Sequence, residues 1–219
     1  MTQYATLDVE SEIFAGGARA ILAYDEVGRG ALAGPVVVGV ALLRTPMGEA
    51  PQGLADSKEL SEAKRTELVG PIKAWCDVAT GYASAAEIDE FGILAALRAA
   101  AERATRELLT RTKIDPKTTV ALVDGNYDWL TRPERIDAGE EPVSVAKVMV
   151  RKKADRDCAS VAAASVVAKV ERDLLMATLG EKYPEYGWAG NKGYGTAAHR
   201  AAISTMGACE LHRRSWNLV

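Results

Sequence analysis

The stretch "AILAYDEVGRGALAGPVVVGVALL", residues 20–43, decides how the rest of the chain is read. Residues 18–24 predict a strand, and the valine-rich 35–43, "PVVVGVALL", a second. Between them Asp25 and Glu26 interrupt an otherwise apolar run, and Gly28-Arg29-Gly30 follows at once. An exposed charge pair rarely interrupts so apolar a segment. Adjacent strand residues point to opposite faces, so these two carboxylates can cooperate only at a strand end or a bend. Gly28 to Ala33 also matches G-x-G-x-x-A after a strand, the dinucleotide fingerprint. That reading fails on three counts. Pro35 and a strand stand where a helix should open, two carboxylates would repel a pyrophosphate, and no acidic residue ends a second strand about twenty residues on.

Outward from this hairpin-like start, the polar connection "RTPMGEAPQGLADSKEL" (44–60) leads to a predicted helix from about Ser61 to Ala74. Residues 76–83, "CDVATGYA", predict a third strand. Ser84 and Glu87 form an S-x-x-E capping box that opens a long helix through about Thr110. "TTVALVDGN" (118–126) reads as a buried strand ending in the turn Asp124-Gly125-Asn126, and "PVSVAKVMV" (142–150) as another, although periodicity alone is ambiguous there. Residues 157–179 predict the next helix. After Pro184 comes a Gly- and Tyr-rich loop, then a helix over Ala197–Met206 with Thr196 as its N-cap and Gly207 past its end. Strands that come first and then alternate with helices indicate an α/β domain with a mixed sheet. One domain over 1–219 is expected, its C-terminal part from about 180 made of helices and loops.

Of the 219 residues, 48% are hydrophobic and 26% charged, and the net charge is −3. This argues against a loose polyanion binder, while Lys147, Arg151, Lys152, Lys153 and Arg156 still supply a local basic stretch. Cys76, Cys158 and Cys209 are odd in number, far apart and without a CxxC pair, which disfavours a zinc site or disulfide framework and fits reduced thiols. The N-terminus has neither the basic nor the apolar region of a signal peptide, and the longest apolar run, Ala31 to Leu43, is too short for a bilayer. A soluble cytoplasmic protein is expected.

Asp124 ends a predicted strand, where α/β sheets place ligands. Asp155 follows in "VRKKADRD" (150–157). Converging carboxylates raise one another's pKa, and hard divalent ions such as Mg²⁺ or Mn²⁺ relieve the repulsion. Asp124 could equally be a turn residue, Asp155 one charge of a solvated loop, and Arg29 a surface residue. The segments "GNKGYGTAAHR" (190–200) and "LHRRSW" (211–216) combine glycines, a stacking Tyr194 and cations suited to phosphate, or else form an ordinary loop and aromatic tail. His199 and His212 have no recognisable Ser or Cys nucleophile.

Six segments in order carry a resemblance: "DEVGRGALAGPVV" (25–37), "DSKELSEAKRTEL" (56–68), "VDGN" (123–126), "ASVVAKVERDLLM" (164–176), "NKGYGTAAH" (191–199) and "LHRRSW". The chain resembles the ribonuclease HII family, bacterial type 2 ribonucleases H. The resemblance implies a ribonuclease H-like fold: a central mixed β-sheet flanked by helices, with a helical C-terminal part. It implies Asp25, Glu26, Asp124 and Asp155 as catalytic ligands of two Mg²⁺ or Mn²⁺ ions, the first aspartate bridging them. Gly28, Arg29 and Gly30 would approach a ribonucleotide 2′-hydroxyl through their backbone, Tyr194 would hydrogen-bond it, and Lys58 would contact a phosphate. One departure stands out. The family's glycine before the fourth aspartate is Ala154 here, and its basic residue two places after is Asp157, which leaves Asp157 as a rival to Asp155.

The implied activity is hydrolysis of the RNA strand of RNA–DNA hybrids, with cutting 5′ to ribonucleotides embedded in duplex DNA and 5′-phosphate and 3′-hydroxyl ends. Partners would be hybrid and ribonucleotide-containing duplex DNA, with no membrane and no obligate protein partner evident. The alternatives are another two-metal nuclease of the same superfamily acting on DNA, or a non-catalytic hybrid binder.

Overall fold

A computed structural model describes residues 3–131, 135–137 and 139–219. Five strands form one sheet: β1 (Ala20–Val27), β2 (Val36–Arg44), β3 (Asp77–Ala83), β4 (Thr119–Asp124) and β5 (Lys147–Arg151), in the order β3-β2-β1-β4-β5. The first three are antiparallel neighbours, while β4 pairs parallel to β1 and β5 parallel to β4. The sheet is therefore mixed, as expected. Parallel pairing of β4 needs a crossover, and the long helix between β3 and β4 supplies it.

Strand alternation sends Ile21 and Ala23 of β1 to one face and Leu22 and Tyr24 to the other. The first face is covered by α2 (Glu62–Trp75) and by an alanine-rich helix, α5 (Ala159–Lys182); the second by α3 (Ala85–Leu109). The expected capping box opens α3, with the Ser84 N–H donating to Glu87 Oε2 (2.7 Å) and the Glu87 N–H to Ser84 Oγ (3.2 Å). α3 bends at Gly92, whose φ of 81° is not helical. A smaller cluster of Leu32, Met176, Tyr186, Trp188 and Ile203 joins α6 (Trp188–Asn191) and α7 (Ala197–Met206) to α5. Thr196 caps α7 and Gly207 ends it, as read from the sequence.

Several expectations need correcting. A helix at the N-terminus, α1 (Asp8–Ala15), was not foreseen: Leu7 at its N-cap offers no capping side chain, so no start signal exists. The helix expected over 157–179 is α5, starting two residues later at Ala159; a separate single turn, α4 (Ala154–Asp157), precedes it, and Cys158 between the two is extended. Cys158 is extended because Thr6 bridges across it: the Thr6 N–H donates to the Asp157 carbonyl (3.1 Å), and the Ala159 N–H to the Thr6 carbonyl (2.9 Å). Buried Glu10 of α1 then caps α5, accepting from the Ser160 N–H (2.8 Å) and hydroxyl (2.6 Å). Of the strand read over 142–150 only Lys147–Arg151 pairs; Pro142 has no donor to offer a ladder, and Val143 and Val145 pack on the core.

The bend expected between Asp25 and Glu26 is absent. β1 stays paired to β2 through Val27↔Val37, while its pairing with β4 stops at Tyr24↔Val123. Asp25 and Glu26 thus lie where one side of β1 has run out of neighbour and the other has not.

Candidate active site

Three carboxylates meet where β4 ends. Asp25 projects from β1 toward α5, Asp124 is the last residue of β4, and Asp155 lies in the single turn of α4. One oxygen from each lies within 4.8 Å of the others. The turn is locked from both sides: Asp124 Oδ1 accepts the Ala154 N–H (2.7 Å), and the Thr6 bridge fixes the peptide after it. Asp157 is turned away, accepting from Arg151 Nη2 (2.8 Å) and Gln3 Nε2 (3.3 Å). Asp155, and not its rival, is the member of the group.

Glu26 stands apart from the three. Its Oε1 is 3.4 Å from Arg29 Nη1, and its charge still acts on Asp25, as that of Asp124 acts on it. Arg29 also bonds the Tyr127 hydroxyl, with its guanidinium 5.4 Å from that ring's centre. Lys58, in the short turn Ser57–Glu59, places Nζ 3.1 Å from Asp155 Oδ2. Ser165 hydrogen-bonds Asp25, and its hydroxyl is 2.8 Å from that of Ser57.

The electrostatics follow from crowding. Burial first, then the charge of Glu26, pushes the Asp25 carboxyl well above its usual range. Burial and Asp155 raise Asp124; burial raises Glu26 against the pull of Arg29. Burial lowers the Lys58 ammonium, but Asp25, Asp155 and Asp56 outweigh it and the net shift is upward. Three oxygen donors, destabilised by one another and unmatched by a single lysine, form the donor set that hard divalent cations take.

Lys152, Lys153 and Arg156 of the basic stretch line the groove beside Asp124 and Asp155, together with Asn126. Arg151 is drawn to Asp157, and Lys147 opens β5. Gly28, with φ of 81°, begins the Gly28–Gly30 loop; a Cβ there would collide with Arg172. Tyr194 is 37% exposed, enough to offer its ring and hydroxyl to a ligand. Its loop is joined to the segment after Gly30, because the Gly193 carbonyl accepts the N–H groups of Leu32 (2.8 Å) and Ala33 (3.2 Å).

The two histidines are buried and serve structure. His199 Nδ1 donates to the Tyr194 carbonyl (2.9 Å), so its Nε2 accepts, from Trp188 Nε1 (3.0 Å) and from His212 Nε2 (3.1 Å). His212 Nδ1 accepts the Cys209 N–H (3.1 Å) and lies 3.3 Å from that thiol. Burial raises the Cys209 thiol, which keeps it a poor nucleophile. Sequence reasoning assigned no role to Ser165 or Arg172, and offered Arg213, in "LHRRSW", for phosphate contact, whereas it is buried against main-chain carbonyls. Ser165 carried a signal, as a hydroxyl within the alanine-rich stretch of α5; buried arginines carry none, because arginine reads as surface.

Comparison with known proteins agrees with this geometry. A family model described as Ribonuclease HII matches residues 22–219. A ribonuclease HII of Streptomyces avermitilis is 42% identical over 203 residues, covering 91% of this chain and 78% of the relative. One of Rhizorhabdus wittichii is 43% identical over 194 residues, covering 88% and 85%. Among solved structures, ribonuclease H2 of Pyrococcus horikoshii superposes with a TM-score of 0.62 at 24% identity, covering 91% of this chain and 94% of that one. Ribonuclease HII of Archaeoglobus fulgidus, solved as a complex with PCNA, gives 0.64 at 27% identity, covering 90% and 93%.

Proposed function

This chain belongs to the ribonuclease HII family and is a metal-dependent endoribonuclease acting on RNA–DNA hybrids, and we propose that it also cuts 5′ to single ribonucleotides in duplex DNA with two Mg²⁺ or Mn²⁺ ions. The observation that carries this reading is the meeting of Asp25, Asp124 and Asp155 within 4.8 Å, beside a groove lined by lysines and an arginine.

When bound, the ions supply the charge that makes a water nucleophilic and stabilises the departing 3′-oxygen, leaving 5′-phosphate and 3′-hydroxyl ends. Asp25, Asp124 and Asp155 would hold them, with Glu26 as the fourth ligand. Ser165 orients Asp25, and the Ala154 N–H orients Asp124. Lys58 holds Asp155 and lends positive charge toward a phosphate. The 2′-hydroxyl separates RNA from DNA; Gly28, Arg29 and Gly30 read it through their backbone, and Tyr194 through its hydroxyl. We further place the protein in the cytoplasm, consistent with the free thiols of Cys76, Cys158 and Cys209.

The test is cleavage of duplex DNA carrying one ribonucleotide, with Mg²⁺, Mn²⁺ or chelator. A cut on the 5′ side of the ribonucleotide, lost in chelator, is expected. Equal cutting of the all-DNA duplex would assign the site to a DNA nuclease, and tight binding without cleavage would make the protein a hybrid binder.

A further inference from the structure

Two guanidinium groups lie fully buried behind the Gly28–Gly30 loop, and neither has a carboxylate. Among the described residues, Arg172 and Arg213 are 0% exposed and form no ion pair. They are held by main-chain carbonyls instead. Arg213 donates from Nη1 to the Arg29 carbonyl (2.7 Å), from Nη2 to that of Gly28 (2.6 Å), and from Nε to that of Gly34 (3.2 Å). Arg172 donates from Nε to the Pro35 carbonyl (3.0 Å), from Nη2 to that of Ala33 (3.3 Å), and from Nη1 to that of Lys192 (3.0 Å).

These bonds have a geometric consequence. In a trans peptide the C=O and the following N–H point in opposite directions. With the carbonyls of Gly28 and Arg29 drawn in to Arg213, the N–H groups of Arg29 and Gly30 face away from it. Arg172 reaches the other recognition segment as well: beyond its bond to Lys192, its guanidinium lies 5.6 Å from the centre of the Tyr194 ring. Gly193, with φ of 83°, permits the approach, since a Cβ there would meet the Ala33 carbonyl. The two cations thus staple the Gly28–Gly30 loop and the Tyr194 loop to a common point.

A buried, unpaired charge is costly compared with a well-packed apolar side chain. Burial and the neighbouring charge of Arg172 pull Arg213 down to about 9, still above neutrality, so it remains a cation. Stability alone does not account for such a pair. We infer that Arg172 and Arg213 are positioning residues for ribonucleotide selection, fixing the Gly28–Gly30 amides and Tyr194 in one relation although neither side chain touches the sugar. The inference rests on the reading that these two segments sense the 2′-hydroxyl.

Arg→Lys keeps the charge and loses the fork that spans three carbonyls. For Arg213→Lys and Arg172→Lys, kcat/KM on a duplex with one ribonucleotide should fall roughly tenfold to a hundredfold, the scale of a small misplacement of binding groups. The Mg²⁺ concentration for half-maximal rate should stay as in the parent. In a Tyr194→Phe background, Arg172→Lys should cost much less than it does alone. An unchanged kcat/KM in both lysine variants, with Tyr194→Phe impaired, overturns the inference and leaves the reading standing. Full additivity with Tyr194→Phe overturns it as well. If Tyr194→Phe itself has no effect, the reading fails and the inference with it. Should the lysine variants not fold, the Arg172 and Arg213 Nε–H resonances of an otherwise unaltered Asp124→Asn protein decide. They should shift with the one-ribonucleotide duplex and not with all-DNA duplex; identical responses to the two overturn the inference.

Discussion

Around Asp25 three carboxylates converge with one lysine among them; behind Gly28 two guanidinium groups converge and, among the described residues, neither forms an ion pair. The two regions adjoin, one strand end apart, yet the fold handles their charge differently. Anions are left under-compensated, with a few N–H and O–H donors and raised carboxyl pKa values. Cations are surrounded by six carbonyl groups that a loop is bent to provide. The first arrangement is open to an incoming cation; the second is closed, and its effect is carried outward by the loop it shapes.

The sharpest way to break this contrast is Asp124→Asn. Turnover in Mg²⁺ should fall at least about a hundredfold, as befits loss of a metal ligand. Calorimetry without metal should show a melting temperature unchanged or higher, because Asn still accepts the Ala154 N–H and one repelling charge has gone. Near-normal cleavage would remove Asp124 from the site.

The pH dependence of stability should have opposite signs at the carboxylates and at the buried histidine His212. Burial and His199 pull His212 down to about 4, from an ordinary value near 6.5. A depressed histidine binds its proton in the unfolded chain first, so stability falls as pH drops from about 6.5 to about 4, by at most about 3 kcal/mol. Asp25, Glu26 and Asp124 are raised, so their native carboxyls bind protons first. Their contribution falls as pH rises from about 4 through their native values. Metal-free melting curves over this range should show both slopes, and Asp124→Asn should flatten only the second.

Smaller effects refine the comparison. Tyr194→Ala should lower cleavage at a lone ribonucleotide by about tenfold, the scale of one hydrogen bond in a bound complex; an unchanged rate would count against its role. Lys58→Met should lower metal-free stability by no more than about 1 kcal/mol, since Lys58 is largely exposed. Added Mg²⁺ should close that gap; a gap that persists would mean Lys58 supports the turn and not the charge balance.

Much of this was legible in residues 20–43 and in the spacing of Asp124. Apolar runs mark β1, β2 and β4, the Ser84–Glu87 pair marks the start of α3, and the motif order marks the family. What stayed hidden depends on partners far along the chain. The break at Cys158 is imposed by Thr6, and α1 lacks a cap of its own. The chain does not bend at Asp25 and Glu26 because β1 keeps its pairing with β2, a fact of register that adjacency in sequence cannot convey. Arg172 and Arg213 look like surface cations until their carbonyl partners, more than a hundred positions away for Gly28, Ala33 and Pro35, are known.

That separation bears on how the enzyme comes into being. Arg213 bonds carbonyls 184 and 185 residues earlier in the chain. During synthesis from the N-terminus, the Gly28–Gly30 loop is made more than 180 residues before the side chain that supports it. Such long-range closure carries a high loop entropy and comes late in folding. A nascent chain therefore carries the Gly28–Gly30 loop without its Arg213 support until Arg213 itself has been made.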